Sequence, residues 1–297
     1  MEQYRIIKAL SGFYYVQTED GVVECRARGR FRRQDQSPLV GDFVRITRQG
    51  AGKGVLEELL PRKNAFIRPA VANIDQLVVL ASCAVPVTEP FLIDRVLAIA
   101  QLQSVPALVV VNKDDLASAQ PLAEIYRRAG VPVLVTSAET GEGIDALRAA
   151  LAGKLSCLTG NSGVGKSSLL NCVCPGLQLP VGEVSEKLGR GRHTTRHVEL
   201  YPVEGGYVAD TPGFSTMDIE RYELFRKEEL PEGFREFAPY LGECKFTSCS
   251  HTCEKGCAVL KAVEEGKISR SRIDSYIAMY NEVKDIKEWQ LSKTKNV

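Results

Sequence analysis

The stretch Gly160-Asn161-Ser162-Gly163-Val164-Gly165-Lys166-Ser167 has the residue types and spacing of a loop that wraps phosphates. Glycines let the backbone close around an anion with its N–H groups turned inward. Lys166 would reach the β- and γ-phosphates and serve the chemistry there. Ser167 would offer its hydroxyl to Mg²⁺, and Ser168 would continue into the helix that opens at this point. A second reactive group sits near the other end of the chain. Cys244, Cys249, His251 and Cys257 are spaced C-x4-C-x-H-x5-C. Three thiolates and one imidazole suit a closed tetrahedral Zn²⁺ site, one per chain, with no open position for catalysis. Cys253 lies in the same stretch and is the alternative to His251 as fourth ligand.

Two further segments choose the nucleotide. Asn112-Lys113-Asp114-Asp115 follows the apolar run Ala107–Val111 and resembles the NKxD element of GTPases, with Asp115 in the aspartate position. A carboxylate there accepts two hydrogen bonds from guanine, N1–H and the 2-amino group. Adenine has neither donor, and such sites discriminate by roughly 10⁴-fold or more. Ser137-Ala138 follows the next strand and resembles the short loop that supplies a backbone N–H to guanine O6. Both segments precede Gly160–Ser167, the reverse of the usual order. Strand ends converge on one site whatever order the chain visits them, so a permutation preserves the chemistry.

Asp210-Thr211-Pro212-Gly213 resembles the DxxG element: Asp210 would hold Mg²⁺ through water, and the Gly213 N–H would sense the γ-phosphate. Between it and the phosphate loop lies Lys187–Arg196, rich in glycine and charge. Thr195 is the preferred switch threonine for Mg²⁺, with Thr194 as alternative. Phe214 stands where many GTPases carry a water-orienting glutamine, so another group must do that work. His193, one of three histidines, is the candidate, and slow intrinsic hydrolysis accelerated by a partner is expected. Gly163 stands where potassium-activated GTPases usually carry asparagine, so no potassium dependence is expected.

These residues need elements to position them. Short runs at Tyr4–Leu10, Phe13–Thr18, Val22–Arg28, Asp42–Arg48 and Lys53–Leu60, broken by turn signals, read as five strands. Five strands in so few residues suggest a small all-β barrel, of which the OB barrel is one candidate. From Ile74 to Leu151 strands and helices alternate, which predicts a mostly parallel sheet in an α/β domain. Leu155–Thr159 is the strand that feeds the phosphate loop, and Ser168–Val173 the helix after it. Val198–Pro202 and Gly206–Ala209 read as a hairpin, and Ile268–Leu291 as a terminal amphipathic helix. The expected domains are 1–68, 69–220 and 221–297.

The chain has 297 residues and a net charge of +1, with 44% apolar and 25% charged residues, an ordinary globular composition. No apolar run reaches the ~18 residues of a membrane span. Without a secretion signal, nine cysteines argue against a disulfide framework, and the cytoplasm is the expected location. Residues 1–68 carry 13 Lys/Arg against 8 Asp/Glu, so an anionic partner is sought there. Period two places Arg26 and Arg28 on one outward face, joined by Arg30 and Arg32 if the strand continues, a stripe suited to RNA phosphates.

Taken together, Cys25–Phe31, Asn112–Asp115, Gly160–Ser167, Gly191–Thr195, Asp210–Gly213 and Cys244–Val259 resemble one family, the circularly permuted GTPases that depend on the small ribosomal subunit. The likeness covers nearly the whole chain. It implies an OB-type barrel, a permuted P-loop GTPase domain and a zinc-binding helical domain. It also implies binding to the small ribosomal subunit and its rRNA, and GTP hydrolysis to GDP and phosphate in late maturation of that subunit, stimulated by the subunit, with His193 in the hydrolytic step. A monomer that binds GTP and GDP, with no membrane association, is the expectation. Arg196 departs from the family, where threonine is more usual, and this keeps Thr194 and Thr195 both open.

Overall fold

Residues 2–29, 31, 37–50, 52–66, 70–174, 176–179, 198–210 and 226–286 are described in a computed structural model of the chain. They pack as two units. One contains the described residues of 1–76, 148–158 and 183–214, the other those of 77–147, 159–182 and 215–297.

In the first unit, alternating apolar residues build β1 (Tyr4–Leu10), β2 (Phe13–Thr18), β3 (Gly21–Ala27), β4 (Phe43–Arg48) and β5 (Lys53–Leu59). Their inward side chains, among them Ile6, Val16, Val23, Cys25, Val44 and Leu56, are buried. The pairing runs β1-β2-β3-β5-β4 and returns to β1 through Tyr4↔Val44 and Arg5↔Phe43. This closed five-strand order is the OB-type barrel, and closure leaves no free edge in the ring. Two-residue strands β6 (Ala65–Phe66) and β7 (Val71–Ala72) follow. Arg26 and Arg28 face outward as period two requires, but Arg28 pairs with Glu57 at 2.6 Å and Arg26 lies over the Phe13 ring. The stripe is thus partly neutralised. Arg30 and Arg32 lie outside the described residues.

The same unit contains β11 (Leu155–Thr159, up to Leu158) and the hairpin of β12 (Glu199–Val203) and β13 (Gly206–Asp210). β11 runs parallel to β13, and β12 pairs with β1 at Lys8↔Glu199, whose side chains form an ion pair at 3.0 Å.

In the second unit, β8 (Gln76–Ser82, from Leu77), β9 (Ala107–Asn112) and β10 (Val133–Val135) run parallel in the order β10-β9-β8. β8 is buried along its whole length, as expected of a strand covered on both faces. Helices α1 (Pro90–Leu102) and α2 (Gln120–Arg128) connect the strands, α3 (Ile144–Leu151, up to Leu147) follows β10, and α4 (Lys166–Val173) follows the phosphate loop.

The C-terminal part has two 3-10 turns, Leu230–Gly233 and Arg235–Tyr240, then α5 (Ala258–Glu264) and α6 (Arg270–Val283). Phe234, Phe237, Val259, Tyr276 and Met279 form its core together with Ala98 of α1. α6 is shorter than the expected Ile268–Leu291. Ser269 has extended backbone and caps the helix, which starts at Arg270, two residues later than Ile268, and ends at Val283; 287–297 lie outside the described residues.

Arg272, buried in α6, bonds Asp94 of α1 at 2.7 Å and Glu236 at 2.5 Å, and stacks over Phe234. Burial alone would lower its pKa, but the two carboxylates raise it, so the guanidinium stays charged. No helix among the described residues is long and apolar enough to cross a membrane.

Candidate nucleotide site and candidate metal centre

Parallel strands deliver their carboxyl ends to one edge, and the second unit uses that edge. β8, β9 and β10 there release the loops beginning at Cys83, Lys113 and Thr136. Asn112, 1% exposed, ties the loops together. Its Nδ2 donates to the Val164 carbonyl at 3.0 Å. Its Oδ1 accepts from the Ala138 N–H at 3.1 Å and the Thr136 hydroxyl at 3.2 Å. One amide thereby fixes the phosphate loop against the Ser137-Ala138 loop, and these bonds go to protein.

Asp115 is exposed, and its carboxylate accepts from Ser137 Oγ at 2.6 Å. Ser137 is fully buried and in turn accepts from the Thr140 N–H. A short hydrogen-bonded chain thus runs from Asp115 through the Ser137-Ala138 loop and Asn112 to Val164, two residues before Lys166. Asp114 is spent on structure, accepting from the Ala119 N–H at 2.6 Å. Lys113 has φ of +72° and donates to the Val85 carbonyl at 2.7 Å. A left-handed lysine is uncommon and marks a backbone held by its surroundings.

The phosphate loop is shaped by what its glycines approach. Gly165 has φ of +93°, and a Cβ there would meet Asn112 Nδ2 at 2.3 Å. At Gly163 a Cβ would come within 2.9 Å of Pro86. Val164 is buried and anchors the loop. Lys166 opens α4, with Ser167 and Ser168 half-buried in its first turn. The N–H groups and positive dipole end at the start of a helix favour a phosphate. Gly160, Asn161 and Ser162 complete the loop.

Sequence reasoning missed the segment after β8. Pro86 packs at Gly163, Val85 receives Lys113, and the Cys83 thiol donates to the carbonyls of Asn112 and Ala117. The Val85-Pro86 break directly after an apolar strand was the available signal. His193, Thr194, Thr195 and Gly213 lie outside the described residues. For Asp210 only the backbone, at the end of β13, is described.

The metal centre is built locally. The ligand atoms of Cys244, Cys249, His251 and Cys257 all lie within 4.8 Å of one another. His251 Nδ1 is 3.6 Å from Cys244 Sγ and 3.4 Å from Cys257 Sγ, and those two sulfurs are 3.9 Å apart. Metal–ligand bonds of about 2.0–2.3 Å in a tetrahedron place ligand atoms about 3.5–3.8 Å apart. The residues therefore fit a zinc-sized ion, which would contribute folding energy and no open coordination position. Cys253 is exposed and stands outside the set.

Burial pushes the Cys249 thiol up to about 12, raises that of Cys257 and lowers the pKa of His251. A cation would reverse the preference for protonated thiols. The backbone N–H groups of Ala258 and Leu260 donate to Cys244 and Cys257, steadying the sulfurs. Glu254 organises the connecting loop. Burial favours its neutral form, but bonds from the Ser250 hydroxyl and from backbone N–H groups of Ser250 and Cys253 hold its carboxyl down at about 2.

The family model described as RsgA GTPase matches residues 59–220, and that described as RsgA N-terminal domain matches residues 3–56. The small ribosomal subunit biogenesis GTPase RsgA of Moorella thermoacetica is 47% identical over 281 residues, 94% of this chain and 96% of that protein. The protein of the same name from Caldanaerobacter subterraneus subsp. tengcongensis is 45% identical over 287 residues, 95% and 96% of the two chains. Among solved structures, YjeQ from Thermotoga maritima is similar with a TM-score of 0.80 and 36% identity over 96% of this chain and 99% of its own. YloQ, a circularly permuted GTPase, is similar with a TM-score of 0.79 and 36% identity over 97% and 96%.

Proposed function

The chain belongs to the RsgA GTPase family and is a GTP-hydrolysing enzyme, and from that premise we propose that it acts in biogenesis of the small ribosomal subunit. In this reading it binds the subunit and its rRNA, and the subunit stimulates hydrolysis of GTP to GDP and phosphate. The observation that carries the nucleotide half is the Asn112 junction, with Asp115 aimed by a buried serine. Asp115 reads the guanine N1–H and 2-amino edge, and the Ala138 loop lies beside the base. Backbone N–H groups of Gly160–Ser168 cradle the phosphates, and Lys166 neutralises charge developing between the β- and γ-phosphates.

Mg²⁺, which would stabilise that charge, would be held by Ser167 and by Thr195 or Thr194, with Asp210 acting through water. Ser167 fits that part, since it stands in the first turn of α4. Gly213 would sense the γ-phosphate and His193 would position the attacking water. The ion held by Cys244, Cys249, His251 and Cys257 would be zinc and purely structural. Residues 1–68, 69–220 and 221–297 would be the RNA-binding, GTPase and zinc domains.

The test is GTP turnover with and without purified small subunits, for wild type and His193→Ala. Subunits should raise wild-type turnover strongly and that of the variant much less. Equal stimulation removes His193 from the mechanism, and none for wild type removes the subunit as activator.

A further inference from the structure

We propose that a cleft of about 240 Å³ in the barrel-bearing unit is a binding site for one unpaired nucleotide of a single-stranded RNA segment, with Arg5 as its anchor. The cleft is lined by Tyr4, Arg5 and Phe43 of the barrel, and by Lys154 and Tyr207 beside them. It lies away from the outward Arg26 and Arg28, which are not among its lining residues. Arg5 carries the argument. Its guanidinium lies over the Phe43 ring at 4.5 Å and the Tyr207 ring at 5.6 Å. Among the described residues it has neither an ion-pair partner nor a hydrogen-bond acceptor.

Asp75, which acts on Arg5 electrostatically, is already held by Lys63 at 2.5 Å and by the Leu155 N–H at 2.7 Å. Burial also lowers the Arg5 pKa, which marks a partly desolvated cation. A stacked guanidinium leaves its edge for recognition. That planar fork of N–H donors matches a phosphate, or the O6 and N7 edge of a guanine.

The site is preorganised by sheet pairing rather than by loops. Arg5 sits opposite Phe43 between β1 and β4, and Tyr207 sits opposite Leu155 between β13 and β11. Lys154 donates to Gln76 and the Ala150 carbonyl, so one of its three N–H donors remains for a ligand. Tyr4 and Tyr207 offer rings against which a base can stack. No lining side chain is acidic. Two cations and stacking surfaces favour a nucleotide over a peptide, whose own backbone would need donors and acceptors from the walls, and the nearby carboxylates are engaged, Asp75 by Lys63 and Glu2 by the Tyr4 hydroxyl.

This proposal rests on the reading that the partner contains RNA, and its test separates the two. Wild type, Arg5→Gln and Arg26→Gln would each be measured for affinity to purified small subunits across a salt series. Wild type would also be photo-crosslinked to subunits whose rRNA carries 4-thiouridine, and the crosslinked peptides mapped. Crosslinks are expected in peptides containing Tyr4, Phe43 or Tyr207. Arg5→Gln should weaken binding about tenfold, the size of one good bidentate contact. Its log–log salt slope should fall by about 1, as for one lost phosphate.

A purely structural role for Arg5 would lower thermal stability and leave the salt slope and crosslinks unchanged, which overturns the proposal. So would crosslinks confined to the Arg26 face, or crosslinks from the cleft to a ribosomal protein. If wild type itself does not bind subunits, the broader reading fails first. Should Arg5→Gln not fold, Lys154→Gln and Tyr4→Leu provide the same readouts from the rim of the cleft.

Discussion

The candidate nucleotide site and the candidate metal centre are built by opposite routes for the same task, holding charge in place. The metal centre gathers four candidate ligands from 14 residues of continuous chain, buries His251 and Cys257, and has the spacing for an ion to hold it. The nucleotide site gathers Asn112, Ala138 and Val164 from three segments, joins them with neutral hydrogen bonds and needs no ion for that geometry. One is local in sequence and would rest on its ion. The other is distant in sequence and carried by parallel strands. The difference teaches that separation along the chain is no measure of how firmly a site is built.

The strongest way to break the comparison is to remove the ion. A chelator, or Cys249→Ser, should destabilise the C-terminal part by more than about 4 kcal/mol, since loss of a structural metal belongs with the most damaging changes. Guanine-nucleotide affinity should fall much less. Zinc release and thermal unfolding, read beside nucleotide titration, check this. Equal losses at both sites would mean that the two are not energetically separate.

Next in size is Asp115→Ala. It should cost about 10²–10³-fold in GTP affinity and about 1–2 kcal/mol in stability, because the carboxylate is exposed but its loss leaves the buried Ser137 hydroxyl without its acceptor. Competition titration with GTP and ATP measures the loss of preference. Asn112→Ala reverses the pattern. It strips partners from buried groups and should destabilise the fold by about 2–3 kcal/mol as well as weakening nucleotide binding. Denaturant unfolding checks it, and an unchanged midpoint would contradict the junction described here.

Gly163→Ala should cost about 1–2 kcal/mol, from its positive φ and from the approach of Pro86. Pro86→Gly in the same chain should recover only the steric part. The smallest effect belongs to the barrel surface. Arg28→Ala breaks an exposed pair with Glu57 and should change stability by less than about 1 kcal/mol.

Much of this was legible in the residues. The phosphate loop and the cysteine cluster are local patterns, and the strands that frame them carry plain period-two or apolar runs. Asp115 stands at the offset where guanine recognition calls for a carboxylate, and its bond from Ser137 joins it to the loop expected beside it. Other features depend on pairings between distant segments. Nothing near Asn112 says that its amide braces Val164 and Ala138. Arg272 stands in the terminal helix and is buried there because Asp94 and Glu236 arrive from elsewhere. Arg28 reads as free for RNA until β5 brings Glu57 to it. The expectations at His193, Thr194, Thr195 and Gly213 lie outside the described residues.

The contact of Lys8 with Glu199 across β1 and β12 has a practical consequence. A shortened chain lacking its first 68 residues would lose the one register pair that joins β12 to β1 and leave β12 as an open sheet edge, able to anneal with its own kind. Such a product should precipitate or self-associate on purification. Inactivity in it would then report a sticky sheet margin rather than the loss of an RNA contact.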